Sequence, residues 1–240
     1  VSSCSKRLSK REEKIMLMEN ARSEIVEYGK KVLSEGLTKG TAGNLSVYDP
    51  ETGYMAISPS GIGYFDTKPE DVVIMDLKGN IIEGNKKPSS EHMLHAVIYE
   101  CRPNARAVVH MHSMYCTVLS CLHVKLQSVH YALADAGVAT VPSAPYRTYG
   151  TPELAEAVRQ NIGNSDAILL ENHGMVACGN SMKKAFGLAS TCEWVAEVQW
   201  RCMCAGKPFI LSDQDMKTVM QHFLTYGQSS PDGTRHSYNG

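Results

Sequence analysis

The feature that most constrains the fold is an early hairpin. Two short strand-like runs, Asn44 to Tyr48 and Tyr54 to Ser58, flank Asp49-Pro-Glu-Thr-Gly53, whose proline and glycine suit a tight turn. A hairpin imposes antiparallel pairing on whatever sheet the chain builds first. Helix-period and strand-period segments then interleave to the C-terminus. The expectation is an α/β chain with a mixed, mainly antiparallel sheet, not a doubly wound parallel one.

The remaining elements follow from period and punctuation. Ala21, Ile25, Tyr28 and Val32 recur at helical spacing, and Gly36 stands where that helix would stop. A third strand, Val72 to Asp76, leads through Lys78-Gly-Asn80 into Ile81-Ile82. Pro88-Ser-Ser-Glu91 offers serine caps to a helix burying Leu94, Val97, Ile98 and Cys101, and the strand Ala107 to His112 follows. Thr151-Pro-Glu153 opens a further helix before the apolar strand Ala167 to Leu170. A long helix runs from Ser181 to about Cys204, and Ser212-Asp-Gln-Asp215 opens the last. Residues 1–13 and 229–240 are polar and aperiodic, so they are expected to be flexible ends around one domain spanning 14–228.

Charge and cysteine usage narrow the class. A formal net charge of -1 argues against nucleic acid or an anionic membrane as the main partner. The eight cysteines form no C-x-x-C pair, and Cys101, Cys178 and Cys192 fall in apolar runs where a free thiol behaves as a small hydrophobe. A cytoplasmic protein is expected. No run approaches the roughly 18 to 20 apolar residues of a membrane span.

The chemistry concentrates in Val108-Val-His-Met-His112. Two histidines two apart on a strand point the same way, which suits a first-row divalent ion, and a catalytic zinc commonly takes a third protein ligand. His173, just beyond a buried strand and next to Gly174, is the candidate third, although a lone histidine there is also a common hydrogen-bonded structural residue. Glu91 begins a helix and could be a fourth ligand or a base, or simply a first-turn acid favoured by the helix dipole. The same helix start, with Ser89 and Ser90, can bind phosphate, and the loops Gly40-Thr-Ala-Gly-Asn44 and Ser58-Pro-Ser-Gly61 fit that idea without being specific for it. His92 and His95 lie three apart on the proposed helix and could bind metal, but are read as solvated or capping residues.

Thr41-Ala-Gly-Asn44, Pro88-Ser-Ser-Glu91, His110-Met-His112, His130-Tyr131, Ala144-Pro-Tyr146 and Asn172-His-Gly174 occur in that order. With them the chain resembles the class II aldolase/adducin family over about residues 20 to 227, and within it the L-fuculose-1-phosphate aldolases, whose late Thr-Tyr-Gly motif has a counterpart at Thr225-Tyr-Gly227. The resemblance implies a three-layer α/β/α domain with a central, mainly antiparallel sheet. It implies a four-fold homotetramer with active sites between neighbours, cleaving L-fuculose 1-phosphate reversibly to dihydroxyacetone phosphate and L-lactaldehyde. His110, His112 and His173 would bind one Zn²⁺ per subunit, a Lewis acid stabilising the enediolate, and Glu91 would be the acid/base that also touches the metal. Asn44, Ser60, Gly61, Ser89 and Ser90 would hold phosphate, with serine at position 60 where the family often has threonine. Tyr131 would protonate the aldehyde-derived oxygen, and Tyr226 would close over the site from a neighbouring tail. The rivals within the fold are an L-ribulose-5-phosphate 4-epimerase, whose usual Ser-Ser-Asp is Ser-Ser-Glu here, and other sugar-phosphate aldolases or a methylthioribulose-phosphate dehydratase. The rival outside catalysis is an adducin-like interaction module, against which the intact His-x-His argues.

Overall fold

The computed structural model describes residues 16–223, together with the backbone of two short strands at 228–229 and 235–236. The first helix, α1 (Glu19–Ser34), buries Ala21, Ile25 and Val32 at the expected spacing and ends before Gly36, which takes the left-handed φ of 73°. The hairpin forms as expected, from β1 (Asn44–Asp49) and β2 (Tyr54–Ile57), and β3 (Val73–Asp76) and β4 (Ile81–Glu83) extend it.

After α2 (His92–Cys101) come β5 (Ala107–Met111) and α3 (Met114–Cys121), the latter lacking a sequence signal strong enough to predict it. Three two-residue strands, β6 (Leu126–Gln127), β7 (Thr140–Val141) and β8 (Ser143–Ala144), lead to α4 (Pro152–Asn161). The chain continues through β9 (Ala167–Leu170), β10 (Gly174–Gly179), α5 (Met182–Ala205) and α6 (Asp213–Phe223), then β11 (Gln228–Ser229) and β12 (Arg235–His236). The helix starts at Thr151 and Ser181 are made as expected, each side chain accepting from the backbone N–H three residues on. Ser212 and Asp215 cap each other reciprocally. One expectation fails: neither Ser89 nor Ser90 caps α2. Glu91 occupies the cap position, and the Ser89 hydroxyl accepts from the Glu91 N–H instead.

Eight strands form one sheet in the order β4-β3-β2-β1-β5-β10-β9-β8, antiparallel throughout except for the last pair. Period-two alternation sorts its side chains between two layers. Val109, Met111, Leu169, Met175 and Ala177 pack with α1, α3, α5 and α6. Val108, Ile168, Leu170 and Val176 face α2 and α4. This is the expected three-layer α/β/α arrangement, and it places β5, buried along its whole length, at the centre of the sheet.

α1 is fastened to the sheet by a buried guanidinium. Arg22, 1 % exposed, donates to the carbonyls of Leu17, Pro69 and Val72 and pairs with Glu83 at 2.7 Å. Replacing it strands buried carbonyls without donors, so Arg22→Met is expected to lower the unfolding free energy by about 3 kcal/mol, measured by chemical denaturation.

Candidate metal centre

The centre is built where the middle of the sheet meets the start of α2. Register pairs Asn44 of β1 with His110 of β5, and Val176 of β10 with the same residue. His110 shares its face with Val108, which packs toward α2, and Glu91 at the start of that helix meets it there. Two glycines allow the strands to close up around this point. A Cβ on Gly43, itself at φ 82°, would lie 2.6 Å from the His110 carbonyl oxygen, and one on Gly174 would collide with the Met111 carbonyl. Gly43 therefore answers to backbone packing, whatever its loop does for an anion.

His173 arrives on the turn between β9 and β10. Its freedom to turn was expected from Gly174, but the left-handed residue is Asn172, at φ 55°, and Gly174 is required for its lack of a side chain. Asn172 accepts a hydrogen bond at 2.8 Å from His123, itself left-handed at φ 53°.

Glu91, His110, His112 and His173 converge, each offering a ligand atom within 4.8 Å of the others. His110 Nε2 lies 3.1 Å from His112 Nε2 and 3.2 Å from Glu91 Oε2, and His173 Nε2 lies 3.4 Å from Glu91 Oε1. A tetrahedron with metal–ligand bonds of about 2.0–2.1 Å has edges of about 3.3 Å, so the spacing fits a zinc-sized ion. The three imidazoles stand at 72–73° to one another with centroids 4.8–5.0 Å apart, a propeller with its nitrogens turned inward. His110 donates from Nδ1 to the Met175 carbonyl at 2.8 Å, which leaves the Nε2 lone pair facing the cluster. Glu91 Oε1 is buried with no hydrogen-bond partner, an orphan a cation would satisfy.

Electrostatics agree. Burial first, then the neighbouring His110 ring, pushes His112 and His173 down to about 4, so both are neutral donors at pH 7. Burial pushes the Glu91 carboxyl up, but the pull of His110 and His173 and the Asn44 amide hold it well below the usual range, as a carboxylate.

Glu91, His112 and His173 line a cavity of about 350 Å³, with His110 buried behind them. Asn44, Ser60, Gly61, Ser89 and Ser90, all expected to hold phosphate, lie on its wall. So do Arg147 and Tyr149, which the sequence did not single out because an exposed loop between two elements carries no periodicity. The Asn44 side chain is already engaged, donating to Glu91 Oε2 at 3.0 Å and accepting from His95. His95 corrects an expectation: it is fully buried, neither solvated nor capping. Tyr131 does not line the cavity. It is 53 % exposed and stacks beside His130, next to Trp194. Tyr226 lies outside the described residues.

Residues 23–200 match the family model for the class II aldolase and adducin N-terminal domain. This chain belongs to that family. The 5-deoxy-D-ribulose 1-phosphate aldolase of Bacillus thuringiensis serovar kurstaki is 45% identical over 213 residues, covering 89% of this chain and all of that relative. The L-fuculose phosphate aldolase of Escherichia coli K12 is 40% identical over 193 residues, 80% of this chain and 88% of that one. A solved L-fuculose 1-phosphate aldolase superposes with a TM-score of 0.84 at 40% identity, over 87% of this chain and 98% of its own. These relatives are aldolases, carbon–carbon lyases. Among the described residues, no helix is long and apolar enough to cross a membrane.

Protons compete with metal for imidazole nitrogen, so affinity falls once pH drops to the ligands' own range. With His112 and His173 near 4, proton competition at these two ligands is expected to make the log of zinc affinity fall more steeply per pH unit below about pH 4 than above about pH 5. Competition against a chromophoric chelator measures this. A slope that does not steepen below about pH 4 would contradict it.

Proposed function

We propose that the chain is a zinc-dependent aldolase that cleaves a methyl-terminated ketose 1-phosphate reversibly to dihydroxyacetone phosphate and a short aldehyde. The observation that carries this reading is the Glu91–His110–His112–His173 cluster, set in a cavity that also presents serines 60, 89 and 90. A divalent ion held by the three histidines would supply a Lewis acid to the ketose oxygens.

The chain's own groups do the rest. Glu91 takes the proton from the ketose carbon beside the carbonyl in the condensation direction and returns it on cleavage. The Ser60, Ser89 and Ser90 hydroxyls, the Gly61 backbone amide and the remaining Asn44 N–H hold the phosphate. Arg147 adds a positive charge to the same cavity. Tyr131 donates a proton to the aldehyde oxygen. Because it stands exposed and off the wall of its own cavity, it reaches the reacting atoms only from a neighbouring copy, which fits the expected four-fold homotetramer. Tyr226 is assigned the closing role by family likeness alone. The described cysteines are free thiols, which suits the expected cytoplasmic location.

L-Fuculose 1-phosphate and 5-deoxy-D-ribulose 1-phosphate share the phosphorylated ketose half and differ by one hydroxymethylene, so cleavage gives L-lactaldehyde from one and acetaldehyde from the other. Our reading takes the five-carbon substrate first, supported by the 45% identity to a 5-deoxy-D-ribulose 1-phosphate aldolase, and the six-carbon substrate of the sequence motifs second, supported by the 40% identity to an L-fuculose phosphate aldolase.

Zinc analysis is expected to find one ion per chain. Glu91→Gln should keep that zinc while kcat for cleavage falls at least about 100-fold; a protein that takes up no divalent metal after reconstitution would sink the reading. Assayed side by side, both deoxyketose phosphates should be cleaved faster than L-ribulose 5-phosphate is epimerised. Arg147→Met should raise KM about tenfold with kcat little changed, as expected for uniform substrate binding; steady-state kinetics separates the two constants.

A further inference from the structure

α2 and β1 interlock through polar groups inside an otherwise apolar layer. Glu91, His95 and Tyr99 recur every fourth residue along α2, forming one stripe. Asn44 and Ser46, two apart on β1, share the face that meets it. The two sets alternate. Tyr99 Oη lies 2.7 Å from Ser46 Oγ, Ser46 Oγ lies 2.6 Å from His95 Nδ1, His95 Nε2 lies 2.5 Å from Asn44 Oδ1, and Asn44 Nδ2 lies 3.0 Å from Glu91 Oε2. Leu94, Val97, Ile98 and Val108 surround this line, and Tyr48 stacks on Tyr99 at 4.9 Å.

The far end sets the direction of every bond. A carboxylate only accepts, so the Asn44 amide nitrogen must face Oε2 and its oxygen must face His95. His95 then carries its proton on Nε2 and donates to Asn44, which leaves Nδ1 to accept from the Ser46 hydroxyl. Ser46 in turn accepts from Tyr99. Each donor in the line thus points toward the metal centre, and nothing in the line can reverse without leaving a buried group unpaired.

We propose that His95 is a positioning residue. Through Asn44 it pins Oε2 of Glu91, so that Oε1, which has no hydrogen-bond partner, is the oxygen turned to the ligand. Ser46 and Tyr99 hold the His95 ring and its tautomer. The inference rests on the acid/base role given to Glu91, but the tautomer itself does not.

Two measurements test it. In selectively ¹⁵N-histidine-labelled, zinc-loaded protein, His95 should appear as the Nε2–H tautomer; Nδ1–H would overturn the proposal whether or not the protein is active. In kinetics, His95→Leu should lower kcat about 10- to 100-fold with zinc content retained and KM within about twofold. His95→Gln, whose amide N–H can reach the same Asn44 oxygen, should recover most of that loss. In an Asn44→Ala background the His95→Leu change should lower kcat by less than about twofold, because the path is already cut. Equal loss in the Leu and Gln variants, additive losses in the double variant, or loss of zinc would overturn the positioning role. If the unmodified protein cleaves no ketose phosphate, the aldolase reading falls alone and the tautomer still decides the role of His95.

Discussion

A carboxylate and three imidazoles share one small space at the mouth of an apolar layer, and much of the surrounding architecture answers the cost of putting them there. Removing a charged oxygen from water is expensive unless it is hydrogen-bonded and paired. Glu91 obtains a donor from Asn44 and lies against His110 and His173. His110 is held by the Met175 carbonyl and His95 by Asn44 and Ser46. What is left unsatisfied is Oε1 and the inward-facing nitrogens, the set of atoms that a divalent cation would neutralise.

The same constraint explains why the two central backbones come so close. β1, β5 and β10 approach at Gly43 and Gly174, where a side chain would strike the carbonyls of His110 and Met111. Close approach lets strands on both sides of β5 contribute, Asn44 from one and the Met175 carbonyl from the other. Meanwhile the cavity wall is made of loop ends, where backbone and hydroxyl groups are free to meet an anion while the sheet holds the cluster rigid.

Much of this was legible beforehand, for identifiable reasons. The His110–His112 pair could be read because strand alternation is strict, α4 and α5 because a capping side chain and apolar period coincide at Thr151 and Ser181, and α1 because its apolar period runs up to the stop at Gly36. α2 was located correctly but its start was misread: Ser89 and Ser90 read as its caps, whereas Glu91 takes the cap position and its carboxylate turns to His110 and His173. His95 was misjudged for a related reason: a histidine on a helix reads as surface until the facing strand supplies Asn44 and Ser46.

By itself the sequence determined most of the longer elements, the antiparallel start of the sheet, the family, and the identity of the four groups that cluster around a metal-sized space. These rest on local periodicity and on motifs whose meaning survives without coordinates. Only the tertiary structure decided that Asn44 serves the carboxylate as well as the cavity, that Asn172 and not Gly174 makes the turn to His173, that Arg147 shares the cavity, and that Tyr131 does not line it within one chain. Those outcomes depend on register and on which faces meet across long stretches of chain, and no local pattern encodes a contact between residues 44 and 91.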